Sequence, residues 1–336
     1  MKIGFVYAGQ GSQHVGMGKD FYDTYHLFRE TIDNADVQVN KVTKFDLRKC
    51  CFEGPTDMLS NTIYTQPCMA AYAVGVTKLL FDRKIRPEYV CGLSLGEYSA
   101  LFASGALDEN TVFDLIAYRG KVMAEASAGR NVKMPAILHT DRETVAEGLE
   151  EARQSLENET ENVVEIANYN CPGQIVISGD AKAVDKASEI LTAKGAKRII
   201  PLQVSGPFHT SLMKKAGDEL YEKLRTVTFG WMNSKVIFNA TGKTLSESGK
   251  DKDGTDMNIQ RLLRKQVQSS VYLEDSIKLM AEKGVDTIIE IGPSHTLSKF
   301  LKRISPDIKI YSIDLVEDFE GCVAELTKES KQSAAS

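Results

Sequence analysis

The amino-acid sequence predicts an α/β protein, with a mostly parallel sheet, helices on both of its faces, and a small inserted subdomain. Short apolar segments alternate with amphipathic helical segments along most of the 336 residues, which is the order expected of a parallel sheet. Between 131 and 200 the order becomes β-α-β-β-α-β, the ferredoxin-like pattern. We expect a core at 1–130 and 201–326, this subdomain at 131–200, and a frayed end at 327–336.

The elements before residue 131 follow from apolar spacing and from turn residues. Residues 2–8 form a buried strand pattern that ends in a Gly-rich turn. Residues 65–81 and 110–126 carry apolar side chains at helical spacing. Asp108 is a suitable N-cap for the second of these helices. Between the two helices, residues 89–91 are a short apolar strand that runs directly into a second Gly-rich turn.

The later elements are predicted from the same patterns. Inside the subdomain the predicted strands are 135–138, 163–168, 174–178 and 197–202, and the predicted helices are 142–156 and 181–194. In the remainder the predicted strands are 235–239, 286–291 and 309–313, and the predicted helices are 259–265, 273–283 and 297–303. Because strands and helices alternate again here, we assign this part to the parallel sheet of the core.

Composition and charge exclude several classes of protein. Hydrophobic residues make up 42% of the chain and charged residues 26%, which excludes wholesale disorder. The net charge of −5 argues against general nucleic-acid binding, which needs a basic excess. No apolar run approaches the roughly 18 residues of a transmembrane helix. The first apolar stretch is too short for a signal peptide, so we expect a cytoplasmic protein without membrane contact.

The spacing of cysteines and histidines predicts no metal site. The six cysteines form no CxxC pair, and the five histidines form no HExxH motif. A structural zinc site needs such a cluster. Free thiols in a reducing cytosol are the simplest interpretation of the cysteines.

The strongest catalytic signal is Gly92-x-Ser94-x-Gly96, which lies between the predicted strand at 89–91 and a predicted helix at 97–103. This is the context of a nucleophile elbow, in which a sharp turn exposes the serine hydroxyl. The first N–H groups of the helix then point at the same spot and can bind a developing oxyanion. An ordinary turn is the alternative, since two glycines around a serine also occur by chance.

A nucleophilic serine needs a base, and the chain has five histidines. Position favours His209 and His295, because both follow a strand and open α/β sheets build their sites beyond the carboxyl ends of strands. A surface or capping role is the alternative for each histidine. The remaining candidates are His14, His26 and His139.

The turn at 9–13, Gly-Gln-Gly-Ser-Gln, follows the first strand. It is not a dinucleotide-binding G-x-G-x-x-G motif, because His14 occupies the third glycine position. It is not a P-loop either, because no Gly-Lys-Ser or Gly-Lys-Thr follows. We interpret it as a turn that brings backbone N–H groups beside Ser94, and an ordinary tight turn is the alternative.

Several short motifs occur in a fixed order along the chain. They are Ala-Gly-Gln-Gly-Ser-Gln at 8–13, Gly-Met-Gly at 16–18, Gly-Leu-Ser-Leu-Gly-Glu-Tyr-Ser-Ala-Leu at 92–101, Arg-Gly at 119–120, Asn-Tyr-Asn-Cys-Pro-Gly-Gln at 168–174, Gly-Pro-Phe-His at 206–209, Gln-Val at 266–267 and Glu-Ile-Gly-Pro at 290–293. The ordered set resembles the malonyl-CoA:acyl carrier protein transacylases of fatty-acid synthesis and the related acyltransferase domains of polyketide synthases. The resemblance implies an α/β-hydrolase-like core with the ferredoxin-like subdomain inserted.

The resemblance also implies a role for particular residues. Ser94 would accept the acyl group and His209 would act as its base. A backbone carbonyl near Gln266 would fix the tautomer of the imidazole, in place of an acidic third residue. The backbone N–H groups of Gln10 and Leu95 would form the oxyanion hole.

Substrate recognition is implied by four further residues. Arg119 would bind the free carboxylate of malonate, because a planar guanidinium suits a bidentate carboxylate contact. Phe208 and Leu95 match the residues that the malonyl-selecting members of the family have at these positions. Asn168 and Asn170 are expected to hold the loop between the subdomains and to contact the ligand.

The implied function is transfer of a malonyl group from malonyl-CoA to the phosphopantetheine thiol of acyl carrier protein, through a malonyl ester of Ser94. Such a reaction has ping-pong kinetics and needs no cofactor, since CoA is part of the substrate and a product. We expect a monomer with acyl carrier protein as its partner. The alternatives are transfer to a polyketide carrier protein, a serine thioester hydrolase, and a docking component without activity.

The chain departs from the family pattern at a few positions. Leu93 stands where the family usually has His, which affects the packing around Ser94. Ser270 stands where the family usually has Pro, and Ser294-His295 replaces a common Gly-Lys pair. These changes bear on rate and on the preference for a carrier protein, and they remove neither the proposed nucleophile nor its base.

Overall fold

Strands and helices alternate through most of the chain, as the sequence predicts. The structure, a computed structural model, describes residues 1–157, 159–203, 206–252 and 254–335, without the side chains of 333–335. Its strands are β1 (Ile3–Tyr7), β2 (Tyr89–Gly92), β3 (Val132–Lys133), β4 (Pro135–Leu138), β5 (Val164–Cys171), β6 (Gln174–Asp180), β7 (Arg198–Pro201), β8 (Lys235–Phe238), β9 (Lys243–Thr244), β10 (Val271–Tyr272), β11 (Thr287–Ile291) and β12 (Lys309–Ile313). Its helices are α1 (Lys19–Thr24), α2 (His26–Thr43), α3 (Leu47–Glu53), α4 (Thr56–Leu59), α5 (Thr62–Asp82), α6 (Gly96–Ser104), α7 (Glu109–Ser127), α8 (Arg142–Ser155), α9 (Ala181–Ala193), α10 (Lys214–Leu224), α11 (Ile259–Val267), α12 (Leu273–Glu282), α13 (Thr296–Ile304) and α14 (Val316–Ala335).

The chain forms two compact units. The first comprises 1–120, 228–237 and 278–336, and the second comprises 121–227 and 238–277. The first unit contains a parallel sheet in the order β12-β11-β1-β2-β8. Every residue of β1, β2 and β11 is buried, which is typical of a parallel sheet covered on both faces. The predicted α/β class is therefore confirmed.

The central strands of this sheet end at the same level. Tyr7 at the end of β1 pairs with Gly92 of β2 on one side and with Ile291 of β11 on the other. The turns that follow these strands therefore start side by side at the carboxyl edge of the sheet. Open α/β sheets place their ligand sites at this edge.

Four helices that apolar spacing alone does not predict, α1–α4, precede the long helix α5. Phe21 on α1 and Phe28 on α2 stack with their ring centroids 5.3 Å apart. Both rings also meet Tyr72 of α5 edge-on, at 5.9 and 6.0 Å. This aromatic cluster fixes the first helices on α5, and single-helix periodicity cannot show such a contact between helices.

A buried carboxylate caps α13. Glu290 of β11 accepts hydrogen bonds from the N–H of Leu297 at 2.6 Å, from the N–H of Ser298 at 2.9 Å and from the hydroxyl of Ser312 at 2.5 Å. Burial raises the pKa of Glu290, and these three donors oppose that shift. The carboxylate thereby fixes the start of the helix that follows the central strand β11.

Glu290→Ala is expected to lower the free energy of unfolding by about 2–3 kcal/mol, because two backbone N–H groups lose their acceptor. Urea denaturation measures this change. Glu282→Ala is the matched control, since this glutamate is exposed at the end of α12 and its loss should cost less than about 0.5 kcal/mol. Equal stabilities of the two variants would contradict the capping role.

The second unit is built on a sheet in the order β10-β5-β6-β4-β7, with β3 also paired to β6. All pairs are antiparallel except β10–β5. Helices α8 and α9 pack on each other and on this sheet. Their shared core contains Ile137, Val145, Leu149, Ala152, Val164, Ile175, Ile177, Val184, Ala187 and Leu191.

The observed division of the chain differs from the predicted one. The prediction limits the subdomain to 131–200, whereas the second unit also includes 121–130, 201–227 and 238–277. Strand β10 extends the sheet beside β5, and α10 packs against α11. Arg142 at the start of α8 also pairs with Glu274 at 3.0 Å and Asp275 at 2.8 Å. These contacts join segments that are distant in the sequence.

The C-terminal helix α14 is not among the predicted elements, which end with the strand at 309–313. α14 runs to Ala335 and buries Phe319, Cys322 and Leu326, which are three and four residues apart. The described part of 327–336, where we expect a frayed end, is helical, and Ser336 lies outside the described residues. Among the described helices, none is long and apolar enough to cross a membrane.

Candidate active site

Ser94 lies at the tip of a sharp turn between β2 and α6. Its φ of 55° lies in the left-handed region, which serine adopts only when the surrounding structure holds it there. A Cβ on Gly96 would lie 2.6 Å from the carbonyl oxygen of Tyr7, and one on Gly92 would lie 2.1 Å from the carbonyl carbon of Gly96. Glycine is therefore required on both sides of Ser94, and the geometry is that of a nucleophile elbow.

The turn after β1 lies against this elbow. A Cβ on Gly9 would be 2.7 Å from the carbonyl oxygen of Leu93 and 3.0 Å from the Leu93 side chain. Leu93, which replaces the usual family histidine, thus packs over the Gly9 turn. Gln10 follows Gly9, and Leu95 is the N-cap residue of α6. The two predicted N–H donors therefore belong to turns that touch each other.

Arg119 on α7 is a buried guanidinium that contacts the serine. It is 1% exposed, its Nη1 donates to Oε1 of Gln66 at 2.6 Å, and its Nη2 donates to Oγ of Ser94 at 3.0 Å. Burial lowers the pKa of Arg119, while the neighbouring Tyr98 and Glu97 raise it. Arginine remains charged at neutral pH, so a permanent cation lies one hydrogen bond from the candidate nucleophile.

Gln66 is a site residue that the sequence motifs do not identify. It lies on α5, is 1% exposed, and orients Arg119 through the 2.6 Å hydrogen bond. The available signal is a glutamine inside a mostly apolar helix, beside Pro67 and Cys68. A buried amide in such a run must have a polar partner, but the sequence does not say which one.

With malonyl-CoA as the donor that the family resemblance implies, Gln66→Glu is expected to raise the KM for this donor by at least about tenfold, or about 1.4 kcal/mol. The new carboxylate would pair with Arg119 and compete with the carboxylate of the substrate. Use of acetyl-CoA, which has no such group, should change little. Steady-state kinetics with both donors measure the difference. Gln66→Leu, which adds no charge, is the matched variant. An equal loss of activity with both donors in Gln66→Glu would contradict the role of Gln66 beside the carboxylate-binding Arg119.

His209 is held by a backbone carbonyl. It is 4% exposed, lies at φ 61°, and its Nδ1 is 2.8 Å from the carbonyl oxygen of Gln266. A carbonyl only accepts, so Nδ1 carries the proton and Nε2 keeps its lone pair. Gln266 lies on α11 and is fully buried. The structure thus gives His209 the tautomer that a general base needs.

The other four histidines lie in more exposed places. His14 and His295 face the carboxylates of Asp314 and Asp318, at 3.1 and 3.3 Å, and their side chains are 40% and 49% exposed. His26 is 78% exposed on α2, and His139 is exposed in the turn after β4. Their surroundings are those of surface residues, although position in the sequence makes His295 as good a candidate as His209.

The remaining predicted site residues are buried in the second unit. Phe208 is 5% exposed and directly precedes His209. Asn168 and Asn170 lie on β5 and are 6% and 7% exposed. Oδ1 of Asn170 accepts no hydrogen bond from any residue that the structure describes. A buried amide oxygen of this kind is available to a ligand.

The first unit thus brings Ser94 and Arg119 together beside the Gln10 and Leu95 turns, and the second joins His209 to Gln266. Enzymes that transfer acyl groups use features of this kind: a nucleophile elbow, a buried cation and a histidine bonded to a backbone carbonyl. Residues 4–313, nearly the whole chain, match the acyl transferase domain family. The protein is an acyltransferase.

Individual relatives narrow this assignment. The chain is 37% identical over 329 residues to the malonyl CoA-acyl carrier protein transacylase of Bacillus subtilis, with 98% of each chain covered. The structure of malonyl CoA-acyl carrier protein transacylase from Clostridium perfringens matches with a TM-score of 0.88 and 35% identity, covering 99% of this chain and 100% of that one. A malonyl-transacylase in complex with a type II polyketide synthase acyl-carrier protein matches with a TM-score of 0.85 and 29% identity, covering 97% and 100%. The chain belongs to the malonyl CoA-acyl carrier protein transacylase family, as its motifs predict.

Proposed function

We propose that this protein transfers a malonyl group from malonyl-CoA to the phosphopantetheine thiol of an acyl carrier protein, supplying extender units for fatty-acid synthesis. The observation that carries the proposal is the 3.0 Å hydrogen bond from the buried Arg119 to Oγ of Ser94. A buried cation at this position suits an acyl group that ends in a carboxylate. A plain thioester hydrolase has no need of it.

In the first half of the reaction, Oγ of Ser94 attacks the thioester carbonyl and Nε2 of His209 takes the serine proton. The tetrahedral oxyanion binds to the N–H groups of Gln10 and Leu95. When the C–S bond breaks, His209 returns the proton to the CoA thiolate. The malonyl ester of Ser94 remains. Support comes from the elbow geometry and from the Nδ1 contact of His209 with Gln266.

In the second half, the thiol of the carrier protein attacks the ester and the same groups act in reverse. His209 takes the thiol proton, the oxyanion returns to the same N–H groups, and Ser94 leaves with the proton. The carboxylate stays on Arg119 throughout, with Phe208 shaping the acyl pocket and Asn168 and Asn170 contacting the ligand. These steps call on no metal or resident cofactor, because CoA enters as substrate and leaves as product.

The carrier protein defines a second candidate function. The malonyl-transacylase solved with a type II polyketide synthase acyl-carrier protein is a structural match over 97% of this chain. Transfer to a polyketide carrier protein uses identical chemistry and differs only in the surface that docks. Parallel assays with carrier proteins of both kinds decide between the two, since the preferred partner should show the higher kcat/KM.

The proposal is tested by the intact mass of the protein after brief incubation with malonyl-CoA or acetyl-CoA. We expect one malonyl group to be added, with little acetyl adduct. Equal adducts would retain acyl transfer and reject malonyl selectivity. Free malonate without an adduct would indicate a hydrolase, and neither product would indicate a protein without this activity.

Three further assignments accompany the function. We assign the sheet of the first unit to an α/β-hydrolase-like core and the β7-β4-β6-β5 sheet to a ferredoxin-like subdomain, since this strand order follows from a β-α-β-β-α-β chain. Six buried free thiols suit a reducing compartment such as the cytoplasm. We propose the monomer as the active form, since the sequence carries no interface signal.

A further inference from the structure

The backbone beyond His209 is anchored by a carboxylate that the proposed steps do not use. Glu165 on β5 accepts a hydrogen bond from the N–H of Ser211 at 2.9 Å and a second one from the Ser211 hydroxyl. Ser211 lies two residues after His209 and opens the 3-10 turn Ser211–Met213. Both contacts of Glu165 therefore fix the chain just beyond the imidazole.

The same strand anchors the acceptor of the histidine. The hydroxyl of Ser270 donates to the carbonyl oxygen of Ile166 at 2.5 Å, and Val271 of β10 pairs with Asn168. Ser270 follows Gln266 by four residues, in the segment that links α11 to β10. The register of β5 shifts between Ile166 and Asn168, and such irregularities re-aim the groups of a strand. Adjacent residues of β5 thus hold the segments on both sides of the His209–Gln266 hydrogen bond.

His209 needs such anchors because its backbone is strained. Its φ of 61° is unfavourable for a residue with a side chain and costs of order 1–3 kcal/mol. Before the strained residue, the carbonyl of Pro207 accepts the Thr210 hydroxyl at 2.6 Å. After it, Ser211 donates two hydrogen bonds to Glu165, and these tie the turn to β5.

We propose that Glu165 is a positioning residue for His209, acting through Ser211 to hold Nδ1 on the Gln266 carbonyl. The inference rests on the proposed function, in which His209 is the base. Ser270 anchors the segment that carries the acceptor, Gln266, through its hydroxyl. The family usually has proline at this position, which could not make this hydrogen bond. Misplacement of a catalytic group by about 1 Å can cost about 100-fold in rate, so these anchors matter for turnover.

The test uses the full chain labelled with ¹⁵N-histidine. The Nδ1–H proton of His209 gives an NMR signal that is protected from exchange with water while it is bonded to Gln266, and His209→Gln assigns it. We expect Glu165→Ala to speed this exchange at least about tenfold and Glu165→Gln to have a smaller effect, because an amide oxygen can still accept the Ser211 N–H. Glu189→Gln, a glutamate 71% exposed on α9, is the matched control and should change nothing.

The second readout is the rate of Ser94 acylation by malonyl-CoA. This rate should fall about 10-fold to 100-fold in Glu165→Ala. It should fall less in Ser211→Ala, which loses a single hydroxyl contact. If Glu165→Ala fails to fold, Ser211→Ala tests the positioning role instead. An unchanged Nδ1–H signal in these variants would overturn the proposal, whether or not the rate falls. A wild-type protein that forms no acyl ester would refute the proposed function, while the exchange measurement would still decide the role of Glu165.

Discussion

Ser94→Ala is expected to abolish the malonyl adduct and to lower malonyl transfer by more than about 10³-fold, as loss of a catalytic serine does in other enzymes. The variant keeps the elbow, because Gly92 and Gly96 provide the close approach and the substitution removes one oxygen atom. Intact mass reports the adduct, and transfer of labelled malonate to carrier protein reports the rate. The residual rate would measure what the oxyanion hole and substrate binding supply alone.

Ser99→Ala is the matched control for this experiment. Ser99 lies five residues further along on α6, it is fully buried, and its hydroxyl has no hydrogen-bond partner among the described residues. Its loss should leave both the adduct and the rate near wild-type values. An adduct that persists in Ser94→Ala would place the nucleophile elsewhere. A similar loss in both variants would indicate damage to α6 instead of loss of the nucleophile.

Arg119→Ala is expected to invert the preference of the enzyme for its acyl donor. Malonyl transfer should fall about 10²-fold to 5 × 10³-fold, because truncating one partner of a buried charge pair costs about 3–5 kcal/mol. Acetyl transfer should be unchanged or faster. Arg119→Lys should recover only part of the malonyl rate, since an ammonium cannot reproduce the planar fork that reaches Gln66 and Ser94 from two different nitrogens.

Lys121→Ala serves as the control for the arginine variants. Lys121 is on the same helix, and its side chain is 44% exposed beside Glu125. Its removal changes the net charge by the same amount at a solvated position, so both donors should be used as before. The comparison needs kcat/KM for malonyl-CoA and acetyl-CoA in each variant. If Arg119→Ala lost both activities equally, the guanidinium would be a structural element rather than the carboxylate receptor.

Much of the fold is predictable because its elements are strongly periodic. The sequence places the strand at 2–8 within one residue of β1 and the helix at 181–194 within one residue of α9. It does not predict α1–α4 or the joining of β10 to β5, because these depend on contacts between distant segments. The unit boundary differs from the prediction for the same reason, and α14 is an element that the prediction lacks.

The site is predictable where a local steric constraint restricts which residue type can occupy a position. The nucleophile elbow is such a case, because only glycine allows the close approach of Tyr7 to Gly96. No local constraint of this kind distinguishes His209 from His295, and only the family resemblance favours His209. Gln66 and Glu165 leave no motif at all, because each is defined by the residue it contacts rather than by its neighbours in sequence.

The depth of Arg119 sets how the enzyme responds to dissolved salt. At physiological ionic strength, mobile ions screen solvent-exposed charges over a Debye length of about 8 Å, but they screen buried pairs much less. At 1% exposure the guanidinium lies beyond the reach of that ion atmosphere. Added salt should therefore weaken any long-range electrostatic interaction between the enzyme surface and a charged protein partner, while the discrimination between acyl groups stays constant. Choice of substrate and encounter with the partner are thus set by electrostatic forces of different range.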